Sequence, residues 1–155
     1  MTHHRFGLWN RWRLVIAIAL VLAFLTTGCG KVNENAVLVT HVIDGDTIEI
    51  EGGHRVRYIG IDTPEMGEPY YWEALQANRN LVGNKKIRLE TDVEDKDKYG
   101  RLLRYVWVDD IMVNAELVRL GYAYSYSYPP NTKHQTRFLQ LEKEAREQKR
   151  GLWSG

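Results

Sequence analysis

VLVTHVIDGDTIEIEGGHRVRYIGI, running from Val37 to Ile61, contains three strand-like runs and two turn signals. Val37 to Ile43 is rich in β-branched residues, whereas Thr47 to Glu51 and Arg55 to Ile61 alternate apolar and polar side chains. Asp44-Gly45-Asp46 and Gly52-Gly53 punctuate them, so the stretch reads as a three-stranded antiparallel meander. If strands 47–51 and 55–61 pair as a hairpin, Asp46 and Asp62 arrive at one end of the sheet, a geometry suited to a single ion. Period-two alternation sets Arg57 between Val56 and Tyr58 inside the second strand, which fixes the direction of its guanidinium.

Outward from the meander, Trp72, Ala74, Leu75, Asn78, Leu81 and Val82 recur at mostly helical spacing and predict a helix over Tyr71 to Val82, with Gly83 as its C-cap. Ile87 to Glu90 and Leu102 to Val108 are two further strands around an acidic, lysine-dotted loop from Asp92 to Gly100. Asp109-Asp110 turns the chain into a short helix over Val113 to Leu120, closed by Gly121. Alternation from Tyr122 to Tyr128 stops at Pro129-Pro130. Thr132 to Lys149 then forms an amphipathic helix ended by Gly151. Five strands in antiparallel connection and three helices predict an α+β fold, a small closed barrel with helices beside it.

The 155 residues, 44 % of them apolar, suffice for one domain with a real core. The first 28 residues stand apart from it. Arg5, Arg11 and Arg13 precede an unbroken apolar run from Leu14 to Leu25, followed by Thr26-Thr27-Gly28-Cys29. A helix of that run would span roughly 18 Å, short of the ~30 Å hydrocarbon core, so residues 1–28 read as an export signal. Cys29, the only cysteine, stands where a bacterial lipoprotein signal places its lipid-bearing residue. Lipidation at Cys29 therefore competes with plain cleavage to a secreted protein and with an uncleaved anchor. Residues 29–36 read as a polar tether, and 37–155 as the domain. A lone cysteine excludes an intrachain disulfide, so the domain must stand on its core. Without the three leader arginines, 18 basic residues face 20 acidic ones. Affinity for nucleic acid must then come from a local basic cluster rather than from the whole surface.

Four short stretches carry the chemistry. Asp44-Gly45-Asp46-Thr47 and Asp62-Thr63-Pro64-Glu65 offer carboxylates for a hard cation; Arg57 and the Asp97-Lys98-Tyr99-Gly100-Arg101 loop offer guanidiniums whose forks match phosphate oxygens. Each alone is ordinary turn or surface chemistry. Together they point to metal-assisted cleavage of a phosphodiester.

These motifs, in this order, with Val113 to Arg119 (VNAELVR) and the ending Gly151 to Ser154 (GLWS), resemble the staphylococcal nuclease-like (thermonuclease) family. The likeness runs from about residue 37 to 154. It implies an OB-type five-stranded antiparallel β-barrel with three helices, binding one Ca²⁺ and cutting DNA and RNA to leave 3′-phosphate ends. Position by position, it gives Asp46, Asp62 and the Thr63 carbonyl to the metal. Glu65 becomes the general base, and Arg57 and Arg101 the phosphate-binding arginines. Lys98 and Tyr99 fall at a substrate phosphate, and Tyr126 and Tyr128 at base-stacking positions. The expected protein is an exported monomer at the outer face of the membrane or secreted, acting on nucleic acid without sequence preference and favouring single strands. A non-catalytic OB-type binding module and a Ca²⁺-binding structural domain are the rival readings; the first leaves Glu65 unexplained and the second leaves both arginines without a task.

Overall fold

A computed structural model of the chain describes residues 36–155. The expected signal at 1–28, Cys29 and all but the last residue of the expected tether lie outside the described residues. The meander forms as β1 (Val37–Val42), β2 (Thr47–Ile50) and β3 (His54–Tyr58). Between β2 and β3 the chain reverses through Gly52 and Gly53, both at positive φ (84° and 75°), a conformation that residues with a Cβ resist. The hairpin register sets Thr47 opposite Arg57 and Ile48 opposite Val56.

β5 (Lys86–Glu90) pairs antiparallel with β1 at Val37↔Ile87, and β6 (Leu102–Val108) antiparallel with β5. β6 then closes the barrel on β3, with Val56↔Leu102, Arg57↔Leu103 and Tyr58↔Arg104. This seam is parallel, where strand patterning alone suggests antiparallel neighbours throughout. The chain leaves β3, crosses through helix α1 (Tyr71–Val82) and β5, and returns in the same direction, as a parallel pair requires.

Two short pairs extend the barrel. β4 (Ile61–Asp62) meets β8 (Tyr124–Ser125), and β7 (Ile111–Met112) turns back on β6 before α2 (Val113–Arg119). The alternation from Tyr122 to Tyr128 thus yields a two-residue strand rather than a long one. Helix α3 spans Gln135–Glu147, three residues shorter at its start and two at its end than its polarity pattern suggests, and the Lys133 N–H before it donates to the Asp92 Oδ2 at 3.0 Å. A 3₁₀ turn over Gly151–Trp153 follows. Among the described residues no helix is long and apolar enough to cross a membrane.

Ile48, Val56, Tyr58, Ile87, Tyr105 and Leu117 fill the core, with Phe138 of α3 fully buried against Gly60. Truncating such a ring to Ala typically costs about 3–5 kcal/mol. Gly60 has φ +79°, and a Cβ there would fall 2.5 Å from the Phe138 ring, so glycine is required on both counts. Buried amides bind the layers at defined points. Asn114 accepts from the Val106 N–H and donates to the Ile59 carbonyl, each at 2.9 Å. Asn78 of α1 accepts from the Tyr58 hydroxyl and donates to the Asp44 carbonyl, also at 2.9 Å each. The second contact anchors the Asp44-Gly45-Asp46 turn to the helix.

Candidate active site

Asp44 Oδ1 accepts the Asp46 N–H at 3.0 Å, an Asx turn that directs the Asp46 side chain inward. Asp46 is 5 % exposed. Its Oδ2 accepts both the N–H and the hydroxyl of Thr63 at 3.0 Å, and its Oδ1 accepts the Thr47 hydroxyl at 3.1 Å. The turn can approach Thr63 this closely only because residue 45 is glycine: a Cβ would fall 2.6 Å from the Thr63 Oγ1.

Between Asp46 and Asp62 lies the Arg57 guanidinium. Its Nε is 3.2 Å from Asp46 Oδ1 and its Nη2 2.7 Å from Asp62 Oδ1, while Nη1 donates to the Tyr58 and Ile61 carbonyls at 2.7 and 2.8 Å. The hairpin therefore brings Asp46, Arg57, Asp62 and Thr63 together. The Asp46 carboxyl is raised to about 6: burial pushes it up, Arg57 and the Thr63 hydroxyl pull it down, and Asp44 and Asp62 push it up. The Asp62 carboxyl is raised too, first by burial and then by Glu68 and Asp44, against Arg57. One guanidinium thus under-compensates the surrounding carboxylates.

A hard divalent cation suits that imbalance. Among the described residues no three His, Cys, Asp or Glu side chains converge into a ready-made cage. The donor set is two carboxylates plus the Thr63 carbonyl, which accepts no hydrogen bond among the described residues. Such a set fits an ion that tolerates water and substrate oxygens in the remaining positions.

Arg57 also forms one wall of a pocket of about 310 Å³ that continues along Tyr58 to Ile61 and is faced by Lys98, Tyr99, Arg101, Tyr126 and Tyr128. Six residues singled out from sequence therefore converge, although three chain segments supply them. Asp97 organises one wall. Its Oδ1 accepts the Tyr99 and Arg101 N–H groups and its Oδ2 the Arg101 Nε at 2.7 Å, which leaves the outer nitrogens of Arg101 unengaged among the described residues. Burial opposes ionisation of Asp97, yet these hydrogen bonds hold its carboxyl below the usual range. Tyr99 is 72 % exposed, with Lys98 Nζ 5.0 Å and the Arg101 guanidinium 5.5 Å from its ring. On the opposite wall the Tyr126 N–H is fastened to the Gly60 carbonyl at 3.0 Å.

Glu65 is the residue the structure leaves apart. It stands exposed beyond β4 and does not line the pocket. Its N–H donates to Glu68 Oε2 at 2.8 Å and its carbonyl accepts the Glu68 N–H at 2.9 Å, so the backbone beneath it is pinned. Sequence reasoning quoted Asp44 and Asp97 within their motifs but gave neither a role of its own, and gave none to Glu68. Asp97 had a signal in its i,i+4 spacing to Arg101; Glu68, in a segment otherwise without features, had none.

Residues 55–155 match the family described as staphylococcal nuclease homologue. The chain is similar to the thermonucleases of Staphylococcus hyicus, at 37 % identity over 91 % of this chain and 94 % of the relative, and of Staphylococcus intermedius, at 39 % over 90 % and 94 %. It also resembles endonuclease YncB of Bacillus subtilis, at 43 % identity over 76 % of this chain and 61 % of that protein. Likeness at this level over nearly the whole length, on a closed five-stranded barrel with three helices, makes the chain a member of the staphylococcal nuclease family.

Proposed function

We propose that this protein is a Ca²⁺-dependent, sugar-non-specific endonuclease that hydrolyses phosphodiester bonds of DNA and RNA and leaves 3′-phosphate ends. The observation that carries the reading is the Arg57 guanidinium, held by Asp46 and Asp62 on one side and opening on the other into a pocket with a second guanidinium, a lysine and three tyrosines. The names of the thermonuclease and endonuclease relatives support it.

Asp46, Asp62 and the Thr63 carbonyl would hold the cation, which when bound supplies Lewis-acid polarisation of a phosphoryl oxygen. Glu65 orients or deprotonates the attacking water. The water oxygen bonds to phosphorus as the bond to the 5′ oxygen breaks; that oxygen takes a proton from solvent and leaves as the 5′ hydroxyl, so the phosphate stays on the 3′ side. Arg57 and Arg101 stabilise charge that grows on the phosphoryl oxygens, while Lys98 and Tyr99 hold a neighbouring phosphate. Tyr126 and Tyr128 stack bases, which every base permits, so cleavage is sequence-tolerant and favours single strands.

Digestion of single-stranded DNA, duplex DNA and RNA in Ca²⁺, Mg²⁺ or EDTA, followed by end-group analysis, tests the assignment. Full cleavage in EDTA, or 5′-phosphate products, would overturn it. The protein works as an exported monomer fixed to the outer face of the membrane through lipid on Cys29, a reading motivated by the lone cysteine directly after the apolar run. A soluble product unaffected in location by Cys29→Ser would reject the anchor.

A further inference from the structure

We propose that Asn131 is a positioning residue that sets the distance between the two walls of the pocket by docking the tyrosine-bearing turn onto the loop that carries Lys98, Tyr99 and Arg101. The proposal rests on the nucleic-acid reading of that pocket.

Asn131 is fully buried and does not line the pocket. Its Oδ1 accepts the Glu94 N–H at 2.7 Å and its Nδ2 donates to the Glu94 carbonyl at 3.3 Å, so one side chain pairs with both main-chain groups of a residue 37 positions away. Its own N–H returns to the Tyr128 carbonyl at 2.8 Å. The amide thus acts as a single rung of sheet between two loops that share no strand.

Both loops are tied at further points beyond that rung. Asp95 is bound to Arg104 at 2.6 Å and Asp97 to Arg101 at 2.7 Å, which fixes the loop carrying Lys98 and Tyr99 relative to Glu94. On the other side the Tyr126 N–H is tied to Gly60, and the Lys133 N–H to an Asp92 oxygen that also accepts the Tyr105 hydroxyl at 2.9 Å. The hydroxyls of Tyr126 and Tyr128 make no hydrogen bond among the described residues. Tyr126 is 53 % exposed and Tyr128 packs partly buried against the core, so both rings move with the backbone of this turn, and Asn131 and Asp92 supply its attachments to the opposite wall. Loss of the amide would leave the part-buried Glu94 N–H and carbonyl without their protein partners and a gap where the buried side chain stood, and the turn would shift as water and neighbouring groups fill it.

Steady-state cleavage of single-stranded DNA by the full chain in saturating Ca²⁺ tests this. Asn131→Ala should raise KM by about tenfold, the scale of losing a stacking platform, with kcat within about twofold. The defect should vanish in a Tyr126→Ala/Tyr128→Ala background, because a residue that acts through the tyrosines has nothing left to position. A second pair of variants keeps the test sharp if Asn131→Ala does not fold: Asp92→Ala should raise KM in the same way, and Asp92→Asn, which keeps the acceptor, should restore it. A lowered melting temperature with unchanged KM, or an equal rise in KM without the tyrosines, would overturn the proposal. Failure of the unaltered chain to cut any nucleic acid would overturn the substrate reading itself, and this proposal with it.

Discussion

The Arg57 Nε lies 3.2 Å from an Asp46 carboxylate that is almost wholly buried, and the same guanidinium reaches Asp62 at 2.7 Å. Arg57 is thus at once the counter-charge of the candidate cation site and a wall of the candidate phosphate pocket. A planar fork can serve both, since its edges face in different directions. A lysine ammonium can satisfy one set of partners but not both. Arg57→Lys should therefore lower kcat by about 10²- to 10³-fold, the usual cost of a lost charge-stabilising donor. Circular dichroism should show an intact fold; near wild-type turnover in that folded variant would mean the phosphate site lies elsewhere.

The raised Asp46 carboxyl ties cation binding to pH. With a folded value of about 6 against an ordinary 3.8, the native state holds more protons than the unfolded chain between those values. Its contribution to stability therefore falls as pH rises through that window. A cation competes with the same proton. Stabilisation by Ca²⁺, about 2.7 kcal/mol at a hundredfold excess over Kd, should be fully present at pH 8 and should fade as pH drops through about 6. Melting curves with and without Ca²⁺ across this range give the answer, and a pH-independent shift would remove Asp46 from the binding site.

Much of this geometry could be read from sequence because it is local. The helix over Tyr71 to Val82 and the strand over Leu102 to Val108 have the limits that their periodicity gives, and the hairpin that precedes them delivers Asp46 and Asp62 to one place. What could not be read depends on tertiary partners. Pattern alone cannot show that β3 meets β6 in parallel, because alternation is blind to strand direction. Gly83 ends its helix at φ −56°, and the left-handed residue is Asn84, a choice settled by how the chain enters β5. Asn131 looks like one more turn residue until Glu94 is seen beside it.

Gly45 makes a sharper test of the metal turn than either carboxylate. Its φ is ordinary, so alanine brings no backbone penalty, but the new methyl would meet the Thr63 side chain at 2.6–2.8 Å. Thr63 must yield, and with it the two hydrogen bonds that orient Asp46 Oδ2. Gly45→Ala should cost about 1–3 kcal/mol, as overpacking usually does, and should weaken Ca²⁺ binding measured by calorimetry. Unchanged Ca²⁺ affinity would show that the orientation of Asp46 by Thr63 does not matter to the ion.

Glu90 offers the complementary pH dependence. Burial opposes its ionisation, yet hydrogen bonds from Lys133, His134 and Trp107, at 2.7, 2.9 and 2.8 Å, pull its carboxyl down to about 2 from an ordinary 4.5. The native state then binds fewer protons than the unfolded chain between those values. Stability from Glu90 is fully present above about 4.5 and is lost as pH falls toward 2. The full shift would be worth roughly 3 kcal/mol, but Lys133 is more than half exposed and its share is screened by solvent, so about 2 kcal/mol is the better expectation. Glu90→Gln keeps an acceptor for Trp107 and removes only the charge. Urea unfolding should find this variant about 2 kcal/mol less stable at pH 7, with the gap closing as pH approaches 2. A gap that stays constant with pH would assign the loss to packing around Trp107 and remove the charge of Glu90 from the account.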